Sequence, residues 1–103
     1  MYRRDDVNTP WEITDPAFLD YVKTNYIDTN KVTNFRKMDQ DTSGLFVVIG
    51  SEWTSKEVFE EFCQDPVVVA EREMSIAYNI ANSIFLIEEH KDGVQVKYGN
   101  ETL

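Results

Sequence analysis

Two short runs, Leu45-Phe46-Val47-Val48-Ile49 and Ile84-Phe85-Leu86-Ile87, are apolar at every position. Neither alternating face of an extended chain built from them can rest against water, so both read as strands covered on two sides. The longer run has five residues, against the roughly 20 that a membrane-crossing helix needs. At 103 residues the chain holds one domain and one core. A sheet face left over after folding is most simply covered by a second copy of the chain, so a homodimer is expected before any motif is read.

The rest of the chain supplies two helical regions. Asp15-Pro16 is a helix-opening signal, because Asp15 can accept from free backbone N–H groups and Pro16 suits a first-turn position where no N–H bond is lost. Phe18, Leu19, Val22 and Tyr26 follow at helical spacing, which predicts a helix over about Pro16–Ile27 with 1–14 as an irregular N-terminal segment. Val32 to Met38 reads as a half-exposed strand, and Asp41-Thr42-Ser43-Gly44 as the turn into the first apolar run. Thr54 and Glu57 have the spacing of a capping box, opening a helix whose apolar stripe is Val58, Phe59, Phe62 and Cys63. Asp65-Pro66 interrupts that helix and restarts it, with Val67, Ala70, Met74, Ala77 and Ala81 on one stripe. The second apolar run continues as a strand through Glu88, Glu89 and His90, Asp92-Gly93 has hairpin chemistry, and Val94, Val96 and Tyr98 alternate on a last strand. Two helices, the second interrupted, and a mostly antiparallel sheet give a two-layer α+β sandwich.

Charge narrows the partners. The net charge is −9, with 6 basic and 8 acidic residues in 1–51 but 4 and 11 in 52–103. Nucleic acid and anionic membranes are poor partners for such a chain, since phosphate binding needs clustered Lys and Arg. An acidic half is most simply a solvated helix face; the sharper reading is a surface that captures a basic protein. Cys63 is the sole cysteine and no Cys/His grouping has zinc spacing, so no metal is expected and the chain reads as one of a reducing compartment. Arg3 and Arg4 near the start are not followed by the apolar stretch of a signal peptide, which points to the cytoplasm.

The segment Leu45 to Pro66, a two-sided strand running into Ser51-Glu52-Trp53-Thr54-Ser55-Lys56-Glu57-Val58-Phe59-Glu60-Glu61-Phe62 and then Asp65-Pro66, resembles the third strand and second helix of dimeric α+β barrel proteins. That superfamily is ferredoxin-like in fold and includes antibiotic-biosynthesis monooxygenases, haem-degrading monooxygenases and stress-responsive barrel proteins. The resemblance covers about twenty residues closely and about seventy loosely. It implies a dimeric barrel, and cofactor-independent oxygenation or isomerisation of small apolar or aromatic molecules held between sheet and helices. The Asn, Trp and His motif of the haem-degrading members is not met at recognisable spacing, so no cofactor is implied. The family pattern also starts with a long strand before the first helix. Here only Tyr2 to Ile13 is available for it, so that strand is either short and irregular or replaced by Val94 to Tyr98.

Few residues can carry chemistry. Glu52 beside Trp53, at the mouth of the sheet, is a candidate acid or base if the aromatic desolvates it; otherwise Trp53 packs at the strand-helix junction and Glu52 stays wet. His90 is the sole histidine, so any imidazole chemistry must use it, and its other reading is an exposed hairpin residue. Asn34 and Arg36 share an alternating face of their strand, while Arg72 and Tyr78 lie just off the apolar stripe of the later helix. With Trp53 these four are the candidate ligand-pocket residues. Cys63, one turn after Phe59, reads as a buried inert thiol. Three function classes stay open: a small enzyme of monooxygenase-like or isomerase-like type, a non-catalytic ligand-binding or structural dimer, and an acidic regulator of a basic, nucleic-acid-binding partner.

Overall fold

The computed structural model describes the backbone of residues 1–91 and 94–97, with the side chains of residues 1–87 and of Glu89. Strand β1 (Tyr2–Arg4) is followed by α1 (Pro16–Val22), which passes directly into a π-helical turn, Lys23–Ile27. Then come β2 (Val32–Gln40), β3 (Phe46–Trp53), α2 (Lys56–Gln64), α3 (Pro66–Ala81), β4 (Ile84–Leu86) and a hairpin of β5 (Glu88–Lys91) and β6 (Val94–Lys97). The main sheet has the order β2-β3-β1-β4 with every pairing antiparallel, and β5-β6 form a separate two-stranded sheet. The helices lie on one face of the main sheet. The chain is thus an α+β domain with an open four-stranded sheet.

Tyr2–Arg4 is a short strand, yet it sits inside the sheet, paired with Phe46 and Val47 on one side and with β4 on the other. The cause is Arg4. Its buried side chain stacks at 4.4 Å on Trp11 and donates to the carbonyls of Gly44 at 2.8 Å and Thr9 at 2.6 Å, tying the N-terminal segment to the β2-β3 turn. The C-terminal strand β6 pairs with β5 and does not replace β1. The Asp92-Gly93 turn and Tyr98 lie outside the described residues.

Between sheet and helices, Phe18, Val22, Tyr26, Val32, Phe62 and Val68 form the buried core, with Tyr21, Phe35 and Trp53 packed against it. Phe18, Val22 and Tyr26 recur every four residues, so they stay on one side of the helix while Leu19 turns to solvent. The widening into a π-helical turn at Lys23–Ile27 carries Tyr26 into the core, and the Asp28 N–H closes it on the Lys23 carbonyl at 2.8 Å. Asp15 caps α1 by accepting from Ala17 N–H at 2.8 Å. Asp65 caps α3 through Val67 N–H at 2.9 Å and also accepts from the Tyr21 and Tyr26 hydroxyls at 2.6 and 2.8 Å. One carboxylate therefore starts α3 and pins α1 and its π-helical extension to it.

The cap of α2 is Ser55, whose hydroxyl accepts from Val58 N–H at 3.2 Å. Thr54 is drawn away instead, its hydroxyl and N–H both donating to the Lys31 carbonyl. The Thr54–Glu57 capping box does not form. The stripe of α3 is also corrected. Val68 and Glu71 are buried, whereas Val67, Ala70, Met74, Ala77 and Ala81 face solvent. The N-terminal segment sets this rotation: Ser75 donates to Glu12 at 2.7 Å and Tyr78 to the Pro10 carbonyl at 2.8 Å, so α3 turns its polar face inward to meet backbone and carboxylate partners.

Both runs that read as two-sided are covered on one side within the single chain. Val47 and Ile84 are fully buried under the helices, while Val48 is 49% exposed on the other face. Register places Arg3, Phe46 and Phe85 on that same open face, with the Arg3 guanidinium 5.0 Å from the centre of the Phe85 ring.

A candidate ligand cavity between sheet and helices

β2 carries two bulges, between Val32 and Asn34 and between Asn34 and Lys37. A bulge places two residues opposite one, so alternation breaks and neighbouring side chains can emerge on the same face. Phe35 and Arg36 both reach the helix side this way. Arg36 takes a left-handed backbone, φ 53°, and its N–H donates to the Ser51 hydroxyl at 2.9 Å. For a non-glycine residue that backbone costs about 1–2 kcal/mol, which the surrounding contacts must offset.

Those contacts hold the guanidinium firmly. Its Nη1 donates to Thr14 Oγ1 at 2.9 Å and lies 3.5 Å from Glu71 Oε1, while its carbon stands 5.2 and 5.3 Å from the ring centres of Phe18 and Phe35. The Glu71 side chain is only 8% exposed. Burial pushes its carboxyl above the usual range, and the nearby Glu12 carboxylate adds to that; the attraction of Arg36 does not offset them.

Arg36 looks into a cavity of about 290 Å³ between the helix face of the sheet and helices α2 and α3. Its apolar walls are Met38, Ile49 and Leu86 from the strands and Phe59, Phe62, Val68 and Ile76 from the helices. The N-terminal segment closes one side with Trp11, Glu12 and Thr14, and α3 adds Arg72, Ser75 and Asn79. Tyr2 and Glu89 complete the polar groups; burial raises the Tyr2 phenol, and the Glu89 carboxylate raises it further. This combination of apolar walls and a few convergent polar groups is the ordinary composition of a small-molecule site.

Of the residues singled out from sequence, Arg36 and Arg72 line this cavity. Asn34 and Arg36 do not share a face: the bulge between them leaves Asn34 exposed, paired with Glu52. Glu52 is itself exposed, with the Thr33 hydroxyl 3.3 Å from its carboxylate. Trp53 packs at the strand-helix junction against Tyr26, Phe59 and Phe62, with ring centres 4.6–6.4 Å apart. Tyr78 holds the N-terminal segment to α3 through Pro10. The His90 side chain lies outside the described residues, its backbone being part of β5. Cys63 is half-buried and on the cavity wall, not sealed in the core.

Glu12, Thr14, Ser75, Asn79 and Tyr2 were not singled out. They come from a segment and a helix face with no apolar periodicity, and their only sequence trace is the polar spacing of Glu71, Ser75 and Asn79 on α3. Comparison with protein-family models, with curated proteins and with solved structures gives no match to this chain. No helix among the described residues is long and apolar enough to cross a membrane.

Proposed function

We propose that this chain binds a small, largely apolar or aromatic molecule in the cavity between its sheet and helices, and does so as a homodimer. The observation that carries the reading is the cavity of about 290 Å³, apolar on most sides, with Arg36 oriented on its wall by Glu71 and Thr14. The cavity is partly open, with Met38, Ile49 and Ile76 each more than a third exposed, so a ligand can reach it from solvent. At about 30 Å³ per water-sized unit, the space suits a ligand of about ten non-hydrogen atoms.

The sheet order β2-β3-β1-β4, with α1 between β1 and β2 and α2-α3 between β3 and β4, is the arrangement expected of a ferredoxin-like protein. It supports the resemblance to dimeric α+β barrels, in which the open sheet face meets a second copy. Glu52, the carboxylate singled out as an acid or base, stands on the far face of the sheet and takes no part in this site.

The test is a titration with neutral aromatic fragments, indole and 2-phenylethanol, followed by NMR. Saturable shifts at one site per chain, centred on Met38, Ile49 and Ile76, are expected. Ile76 is 44% exposed at the cavity, so Ile76→Trp should fill the space without unfolding the chain and remove those shifts. Absence of any saturable shift, or binding untouched by Ile76→Trp, contradicts the reading.

A further inference from the structure

We infer that the ligand is a small aromatic or aliphatic carboxylate, its oxygens taken in the fork of Arg36, with Arg72 supplying a second positive charge. This rests on the ligand-binding reading above and adds the chemical class. A guanidinium has five N–H donors in a fixed plane. The described contacts of Arg36 with Thr14 and Glu71 both use Nη1, so Nε and Nη2 remain for a ligand. Two aromatic rings within about 5.3 Å hold the plane of that fork.

Arg72, also on the cavity wall, makes no ion pair or hydrogen bond with another described side chain. The acceptors nearby are differently placed. Glu12 receives the Ser75 hydroxyl at 2.7 Å, Glu71 lies behind Arg36, off the wall itself, and Glu89 stands on the wall near Tyr2 with a partner of its own. Arg36 Nε and Nη2 and the Arg72 guanidinium are thus the donors a ligand would meet on the wall, and a planar carboxylate is the group that two-point guanidinium recognition fits best. An apolar body attached to that group would lie against Met38, Ile49 and Phe59.

The experiment is calorimetric titration of the unmodified chain, near neutral pH, with 3-phenylpropionate, 3-phenylpropanamide and 3-phenylpropylamine, which differ in the polar head alone. The acid should bind about tenfold or more tighter than the amide, the effect of one charge-assisted hydrogen bond, and the amine should bind weakest. Arg72→Gln, at an exposed position, should weaken the acid several-fold and the amide much less. Arg36→Lys, which keeps the charge but loses the fork, should weaken the acid more. Equal binding of acid and amide, or preference for the amine, overturns the carboxylate assignment while leaving the cavity as a binding site. Failure of all three, together with failure of the neutral fragments, overturns both.

Discussion

Glu71 and Asp65 are carboxylates of the same helix with opposite tendencies, and the difference lies in what surrounds each. Burial raises Glu71, and its nearest cation, Arg36, does not compensate. Burial also acts to raise Asp65, but hydrogen bonds from Tyr21, Tyr26 and the N–H groups of Val67 and Val68 outweigh it and hold the carboxyl below its ordinary value of 3.8. The consequences for stability have opposite signs. Folded Glu71 binds its proton more tightly than the unfolded chain does. Its contribution is therefore complete below about 4.5 and is lost as pH rises through the folded value. Glu71→Gln should remove that decline, which thermal melts from pH 4 to pH 8 would show as a flatter curve. Asp65 contributes above 3.8 and its share disappears as pH falls through the folded value. Asp65→Asn keeps a good N-cap but gives up the charge, so it should melt below the parent at pH 7 and lose less stability between pH 4 and pH 2. An unchanged acid limb in Asp65→Asn would show that the two tyrosine bonds do not govern it.

At the scale of elements, α3 is the instructive case. Its sequence offers an apolar stripe of Val67, Ala70, Met74, Ala77 and Ala81, and a less apolar one containing Val68, Glu71 and Ser75. The fold buries the second. Apolar area alone favours the first, at roughly 25 cal/mol per Å². The choice reverses because the segment 9–14 bonds to β2 through Trp11 and Thr14 and brings Glu12 and the Pro10 carbonyl, which need donors, against α3. Val68→Ala should then cost about 2 kcal/mol, from lost burial and the gap it leaves, while Met74→Ala, at a residue 60% exposed, should change stability by less than about 0.5 kcal/mol. Chemical denaturation distinguishes the two, and equal costs would mean the exposed stripe is covered in solution. Other element-level features were plain in the sequence: the Asp15-Pro16 and Asp65-Pro66 starts each act as cap and first helical residue. Ser55 displaced Thr54 as a cap because Lys31, just before β2, offered Thr54 a partner 23 residues away, which no local pattern contains.

The whole molecule leaves one face of its sheet without a helix. Val48, Phe46, Phe85 and Arg3 lie there, and this face is the expected contact for a second copy. In sedimentation velocity at micromolar concentration the chain should run as a dimer, and Val48→Lys should convert it to a folded monomer, because a buried lysine without a partner cannot be accommodated at such a contact. A monomer in the parent chain contradicts the dimer. The net charge of −9 opposes self-association through its long-range field, so raising the salt concentration should strengthen the dimer if apolar contact holds it.

The sequence by itself determined the α+β class, the two apolar strands and the helix starts that use Asp-Pro, because each rests on local pattern or on composition. It also marked Arg36 and Arg72 as pocket candidates, both of which line the cavity. Only the tertiary structure decided the rest. The strand Tyr2–Arg4 exists because a buried arginine finds carbonyls about 5 and 40 residues away. Arg36 faces the helices while Asn34 does not, because a bulge changes strand parity. The polar face of α3 is inward because the N-terminal segment supplies its partners. Each of these is a long-range pairing of polar groups, whose value depends on who the partner is, and hydrophobic periodicity does not carry that information.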